Sequence, residues 1–405
     1  MTSQKYPAFN HFVSVLTGNR ASRGFYSERV IPQNRRGQNR QGMAAIALVA
    51  VALVVAAAVG THAAIEQVGA PAPDFACATC LNHKPFKLSD LRGKVVLVDF
   101  WEYTCINCIR TFPFLRRWDK LYAPVGLVIV GVHTPEFGFA KDPARVADAA
   151  RRFGFDFPVA VDSDYKIWNA FHNEAWPADY LIDKNGSVAY MHIGEGEYGD
   201  FERKIQELLK QANPKLDFNV AKYRISADEN VNLFGGVCMR ATPETYLGFA
   251  HGLNIANPGG EDRTQQTTYA APSDIPMDNF ALNGPWLATA EQVSHTTQVK
   301  PPGDSVELRY RAKSVYLVAG SDDSKPKRLY VTQDGNPLRK GASGVDVRSD
   351  PGGRTYVDLA GKRMYYIANN PEFGGHLLGL YALEPGMSLY SFTFGNNCEN
   401  KFAHR

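Results

Sequence analysis

The chain has 405 residues, a formal net charge of +3, and 44% apolar and 21% charged side chains. That length accommodates two or three domains of ordinary size, and the composition is that of a folded chain. A charge so near neutral, with no concentrated basic face, excludes nucleic acid as an expected partner.

Residues 1–42 form a polar, basic leader in which Arg20, Arg23, Arg29, Arg35, Arg36 and Arg40 stand against one acid, Glu28. An unbroken apolar run follows from Met43 to Gly60. As a helix it spans about 27 Å, just enough for a bilayer core. Basic residues before it keep its first end in the cytoplasm, so everything after it is expected outside. We read residues 43–64 as a lasting membrane anchor on the periplasmic side of the cell envelope. Ala56-Ala57-Ala58 or His62-Ala63-Ala64 could instead serve a signal peptidase, which would make the protein secreted.

From 66 to 212 strands and helices alternate. Val95–Phe100 and Leu127–Val132 read as buried strands, short, apolar and β-branched. Between them Ile106–Leu121 carries Ile109, Phe112, Leu115 and Trp118 at three-residue steps, a helix pattern. Pro143–Phe153 reads as a helix opening on a proline at its first position. Tyr180–Ile182 and Val188–His192 flank Asp183-Lys184-Asn185-Gly186, a hairpin signal, and Phe201–Gln211 closes the unit as a helix. The sum is an α/β sandwich. Residues 215–405 lose helical periodicity. Short alternating segments at Val306–Arg311, Val315–Val318, Arg328–Thr332, Arg363–Ile367 and Leu389–Phe394 predict an all-β sandwich or jelly roll, with 254–273 as a long surface loop.

The six cysteines comprise two tight pairs, Cys77/Cys80 and Cys105/Cys108, and the distant Cys238 and Cys398. Cys105-Ile106-Asn107-Cys108 stands where a buried strand gives way to a helix. There the first sulfur meets free backbone N–H groups and the positive end of the helix dipole, which favour thiolate over thiol. That thiolate can attack a disulfide, and the second, more buried thiol can resolve the mixed disulfide. A zinc site would need all four paired cysteines in one tetrahedron, and covalent haem would need histidine where Leu81 and Ile109 stand. No metal and no cofactor is therefore expected. Cys77/Cys80 reads as a local disulfide in an exported loop, with an auxiliary dithiol relay as the alternative. Cys238 and Cys398 would form one staple of the β region, worth about 4–5 kcal/mol in the chain-entropy model.

Val98-Asp99-Phe100-Trp101, three residues and then Cys-x-x-Cys resemble the active-site segment of the thioredoxin superfamily. Pro113, Trp176-Pro177 and Gly194 match its helix proline, its cis-proline loop and a later glycine. The resemblance is closer to the TlpA-like extracytoplasmic thioredoxins, and among them to the C-terminal part of DipZ-type proteins. It rests on TCINCIRTFPFL, GVHTPEF, FPVAVDSDYKIWNAF, WPADYLID and GEGEY, then ATPETYLGF and LEPGMSLYSFTFG. It implies a thioredoxin-like fold with a long insertion, here roughly 133–172, and a thiol–disulfide oxidoreductase acting on exported protein thiols or disulfides. By the same match Cys105 is the nucleophile, Cys108 the resolving thiol and Asp99 the buried proton acceptor. Trp176 and Pro177 would bind substrate, with Trp101 and Tyr103 framing the site.

The Ile-Asn spacer lacks the Pro-His of strong oxidants, so the reductase direction is favoured. DipZ-type proteins often carry a multi-helix membrane domain that passes electrons outward, whereas this chain has one apolar run. A reductase would then need a separate membrane electron donor of that multi-helix thiol-transfer type. Glu102 reads as a solvated surface residue; His133 and Glu136, which begin the insertion, read as plain loop, with lining of the substrate groove as the alternative. Two rival readings are a glycan- or protein-binding envelope module on a thioredoxin scaffold, its glycan stacked on the many β-region aromatics, and a thiol peroxidase. The peroxidase lacks its Pro-x-x-x-Thr pattern here, because Phe100-Trp101-Glu102-Tyr103-Thr104 precede Cys105.

Overall fold

The structure is a computed structural model that describes residues 67–223, 240–252, 254–263, 265–323 and 325–395. The apolar run at 43–60, Cys238 and Cys398 lie outside those residues. Among the described residues no helix is long and apolar enough to cross a membrane.

The first half is an α/β unit. Its strands are β1 (Ala76–Cys77), β2 (Cys80–Leu81), β3 (Phe86–Lys87), β4 (Val95–Trp101), β5 (Leu127–His133), β6 (Val159–Val161), β7 (Ala178–Ile182) and β8 (Val188–Ile193). Its helices are α1 (Ile106–Tyr122), α2 (Pro143–Phe153), α3 (Lys166–Ala170) and α4 (Tyr198–Ala212). Six strands make one sheet in the order β2-β6-β5-β4-β7-β8, with β4 parallel to β5 and antiparallel to β7. The central strand β4 is buried at every position. A strand covered on both faces is free to be apolar throughout, which is why VVLVDFW shows no alternation in sequence. The alternation exists in space. Val95, Leu97 and Trp101 pack with α1 and α4, whereas Val96, Val98 and Phe100 pack with α3 and Phe171.

Local signals position these elements, and α2 opens on the proline that the sequence reading expected. Asp142 caps α2, its carboxylate accepting from the Ala144 N–H at 2.9 Å, Pro143 occupies the first turn, and Gly154 ends the helix with φ 69°. Pro113 lies inside α1, where it removes one helical donor. The insertion between β5 and β7 holds α2, β6 and α3, the first of them the helix expected at Pro143–Phe153.

The second half is all-β. It contains β9 (Thr245–Tyr246), β10 (Thr267–Tyr269), β11 (Asn279–Ala288), β12 (Val293–His295), β13 (Asp304–Ser321), β14 (Lys327–Gln333), β15 (Asn336–Pro337), β16 (Arg348–Ser349), β17 (Thr355–Leu359), β18 (Arg363–Ala382) and β19 (Met387–Gly395). All belong to one continuous sheet that wraps around a single core of Leu282, Trp286, Leu308, Leu317, Leu380 and Phe392, among others. Wrapping is achieved by sharing strands. β11 pairs with β13 through 279–283 and with β12 through 286–288, and β19 joins β12 back to β13.

The two segments expected at 306–311 and 315–318 are one strand, β13, whose register with β18 shifts between Ala312 and Ser314. Such an irregularity bends a strand without ending it. The second half of β18 escaped the sequence reading because Pro371, Gly374, Gly375 and Gly379 break its pattern. Gly379 is required by close packing: a Cβ there would lie 2.7 Å from Thr332 Oγ1.

The end of β13 and all nine residues of β19 are buried on both faces. One face belongs to the β core. On the other, Val318 and Tyr390 pack with Phe137, and Phe139 meets Tyr390 at 4.8 Å between ring centres. The β half is thus seated on the loop that follows β5, next to the helix that carries Cys105.

Candidate active site

Cys105 is the N-cap of α1, and its Sγ accepts from the Cys108 N–H at 3.2 Å. The first N–H groups of a helix have no helical partner and carry its positive dipole end, so a sulfur placed there is stabilised as thiolate. Cys105 and Cys108 form a disulfide. Cys105 is half-buried and Asn107 beside it is exposed, while Cys108 is fully buried. The two sulfurs therefore differ in access, Cys105 being open to solvent and Cys108 enclosed.

Beneath them lies Asp99. Period-two alternation along β4 points it to the same face as Leu97 and Trp101, the face covered by the helix that carries Cys108. The residue opposite it on β7 is Asp179, which the sequence reading missed. Both carboxyls are buried, and they meet each other. Burial, reinforced by the Asp179 charge, holds the Asp99 carboxyl well above the ordinary carboxylate range. Burial also pushes Asp179 up, to about 7. Asp179 stands two residues past Pro177; its sequence signal was a lone acid inside the apolar strand ADYLI.

The Trp176–Pro177 bond is cis, and the Gly194 N–H donates to the Pro177 carbonyl at 2.8 Å. Trp176 is half-buried against Trp168, at 4.2 Å between ring centres. Two other residues expected to contact substrate sit differently. Trp101 is 0% exposed and packs edge-on against Phe112, His133 and Phe155; Tyr103 is 3% exposed and stacks on His133. Both support the site from within and offer no surface to a substrate, because the insertion after β5 closes over them.

Glu102 also departs from expectation. It is fully buried rather than solvated, and it accepts from the Thr104 N–H and hydroxyl. One of its oxygens lies 3.7 Å from His133 Nε2, and His133 is itself fully buried as the last residue of β5. Glu136 is half-buried and accepts from the Tyr246 hydroxyl of β9, so it belongs to the contact between the two halves. Arg110 joins the same region. Its side chain is fully buried and donates to Asn107 Oδ1 at 3.0 Å, to Glu195 Oε1 at 2.9 Å and to the Phe394 carbonyl of β19 at 3.5 Å. Nothing in the sequence signals the last two links, because their partners lie 85 and 284 residues away.

Cys77 and Cys80 form their own disulfide between β1 and β2, with Cys77 fully buried. Cys80 pairs with Ala160 on β6, at the sheet edge, with β6 and β5 between it and β4. Replacing both with serine is expected to cost about 2 kcal/mol, the loop-entropy value for so short a ring. Disulfide reduction by Cys105 should persist in that variant. Urea denaturation and an insulin-reduction assay check the two halves of this expectation, and loss of activity in a folded variant would restore the relay.

Two family models match the chain: Redoxin over residues 67–209 and a thioredoxin-like C-terminal domain over residues 242–395. Protein DipZ of Mycobacterium bovis and that of Mycobacterium tuberculosis are each 36% identical over 339 residues, covering 82% of this chain and 44% of the relative. The chain therefore spans less than half the length of these relatives. The thiol-disulfide oxidoreductase ResA of Geobacillus kaustophilus is 33% identical over 141 residues, covering 35% of this chain and 78% of ResA. Among solved structures, a thioredoxin-family thiol:disulfide interchange protein from Chlorobium tepidum is 25% identical with a TM-score of 0.31, covering 35% of this chain and 96% of its own.

Proposed function

We propose, from the premise that this chain belongs to the thioredoxin superfamily as a TlpA-like protein resembling DipZ, that it is a thiol–disulfide oxidoreductase which reduces disulfides of exported proteins. The observation that carries this reading is the half-buried Cys105 at the N-cap of α1, joined to the fully buried Cys108.

In the reduced protein the Cys105 thiolate attacks one sulfur of a substrate disulfide. The Cys105–substrate bond forms, the substrate bond breaks, and the other substrate sulfur leaves with the bonding pair and takes a proton. Cys108 then gives its proton to Asp99 and attacks Cys105 Sγ. The Cys105–Cys108 bond forms as the second substrate sulfur leaves as thiolate. Two electrons pass to the substrate and the chain ends oxidised, so a dithiol donor must restore it. Trp176 and Pro177 form the substrate loop beside the pair. The apolar run at 43–60, with its basic leader, supports a membrane tether with the catalytic half outside the cytoplasm, and a multi-helix membrane thiol carrier as the donor.

The test is insulin reduction by the full chain with dithiothreitol as donor. Cys105→Ser is expected to fall to the uncatalysed rate. Activity surviving that change sinks the mechanism.

A further inference from the structure

The established geometry explains how Cys108 can lose a proton but not where that proton goes. Cys108 and Asp99 are both fully buried. The next strands answer this. Asp99 of β4 is directly opposite Asp179 of β7, and Asp179 is directly opposite His192 of β8. Residues directly opposite in antiparallel ladders share a face, with Cα atoms about 4.5–5.5 Å apart. The face is common to all three. Leu97, Leu181 and Tyr190, each two residues away on its own strand, pack in the same cluster as Cys108. Exposure rises along the row, from 0% at Asp99 and 5% at Asp179 to 15% at the His192 side chain. His192 Nδ1 lies 3.5 Å from Glu197, whose side chain is 62% exposed.

The hydrogen-bonding inventory points the same way. Neither oxygen of Asp99 and not Oδ1 of Asp179 meets a donor among the described residues, and His192 Nε2 likewise has no partner. Two buried carboxyls facing each other are costly to ionise together, which favours a proton held by the pair. The other titratable group facing it is Tyr198 of α4, which feels the Asp179 charge and is pushed above its ordinary range chiefly by burial. A tyrosine held protonated cannot accept the thiol proton, which leaves the row itself.

We propose that Asp179 and His192 extend Asp99 into a proton path that carries the Cys108 proton from the buried disulfide to solvent at Glu197. This inference rests on the redox reading of Cys105 and Cys108. Asp99 takes the Cys108 proton as the thiolate attacks Cys105 Sγ. The proton already shared with Asp179 passes to His192, and His192 releases a proton to water. Atoms balance because one proton enters at Asp99 for each one that leaves at His192. Asp179 and His192 touch no reacting sulfur and act through Asp99.

The test uses the reduced full chain and Ellman's reagent in stopped flow. Attack of Cys108 on the Cys105 adduct releases nitrothiobenzoate in a phase independent of reagent concentration. Asp179→Asn is expected to slow that phase at least tenfold at pH 7 and to move its pH midpoint by one unit or more. His192→Gln should slow it at least threefold, and imidazole in the buffer should restore the parent rate. Should Asp179→Asn fail to fold, Asp179→Ser removes the same acid. The path is overturned if folded variants of both residues keep the parent rate and midpoint, or if imidazole restores nothing to His192→Gln. Insulin reduction separates the premise from the inference. A parent that reduces insulin through Cys105 while the variants match it loses the path alone, whereas a parent that reduces nothing loses the function.

Discussion

Cys108→Ser is expected to trap protein substrates as mixed disulfides on Cys105 and to abolish catalytic turnover. The first step needs only the Cys105 thiolate, which the unpaired N–H groups opening α1 stabilise with or without the second sulfur. The second step needs a thiolate three residues on, already inside bonding distance of Cys105. Serine offers an alcohol far weaker than a thiol as acid and as nucleophile, so the adduct has no internal exit. A non-reducing gel of the full-length variant, probed after exposure to oxidised exported proteins, should show higher-mass species that collapse with dithiothreitol. Their absence, with Cys105 still able to be alkylated, would mean that Cys105 is not the attacking sulfur. The same experiment identifies the clients.

Arg110→Met is expected to cost about 3–5 kcal/mol, the range for breaking a buried ion pair from one side. The guanidinium is fully buried, and the Glu195 side chain is 14% exposed. Methionine fills much of the same space but leaves the Glu195 carboxylate, Asn107 and the Phe394 carbonyl without the arginine. Adding Glu195→Gln should recover part of the loss, since the half-buried carboxylate that faced the arginine is then neutral. Urea denaturation of the three proteins measures both terms. A loss below about 1 kcal/mol in the single variant would show that the contact does little to hold the two halves together. Gly395 marks how tight the seam is, for a Cβ there would come 2.4 Å from Arg110 Nη2.

Much of the α/β half was legible in sequence because its determinants are local. The limits of α2 follow from Asp142, Pro143 and Gly154, and the hairpin from Asn185-Gly186, where Gly186 takes φ 85°. The β half was less legible. Its strands derive order from partners far along the chain, and β18 tolerates a proline and three glycines that in isolation signal turns. Glu102 shows the same limit at the site, since a charged residue near a thiolate reads as solvated until its hydrogen bonds from Thr104 are seen.

By itself, then, the sequence determined where the Cys105–Cys108 pair sits. Strand, three residues, Cys-x-x-Cys and a helix pattern suffice to put Cys105 at a helix N-terminus, because that placement depends on neighbours within a few residues. Only the tertiary structure decided what surrounds the pair. Strand register set Asp179 opposite Asp99 and His192 opposite Asp179, and the packing of β19 brought the Phe394 carbonyl to Arg110. Register and packing are set by burial and hydrogen bonding between segments distant in the chain, and no local pattern encodes them.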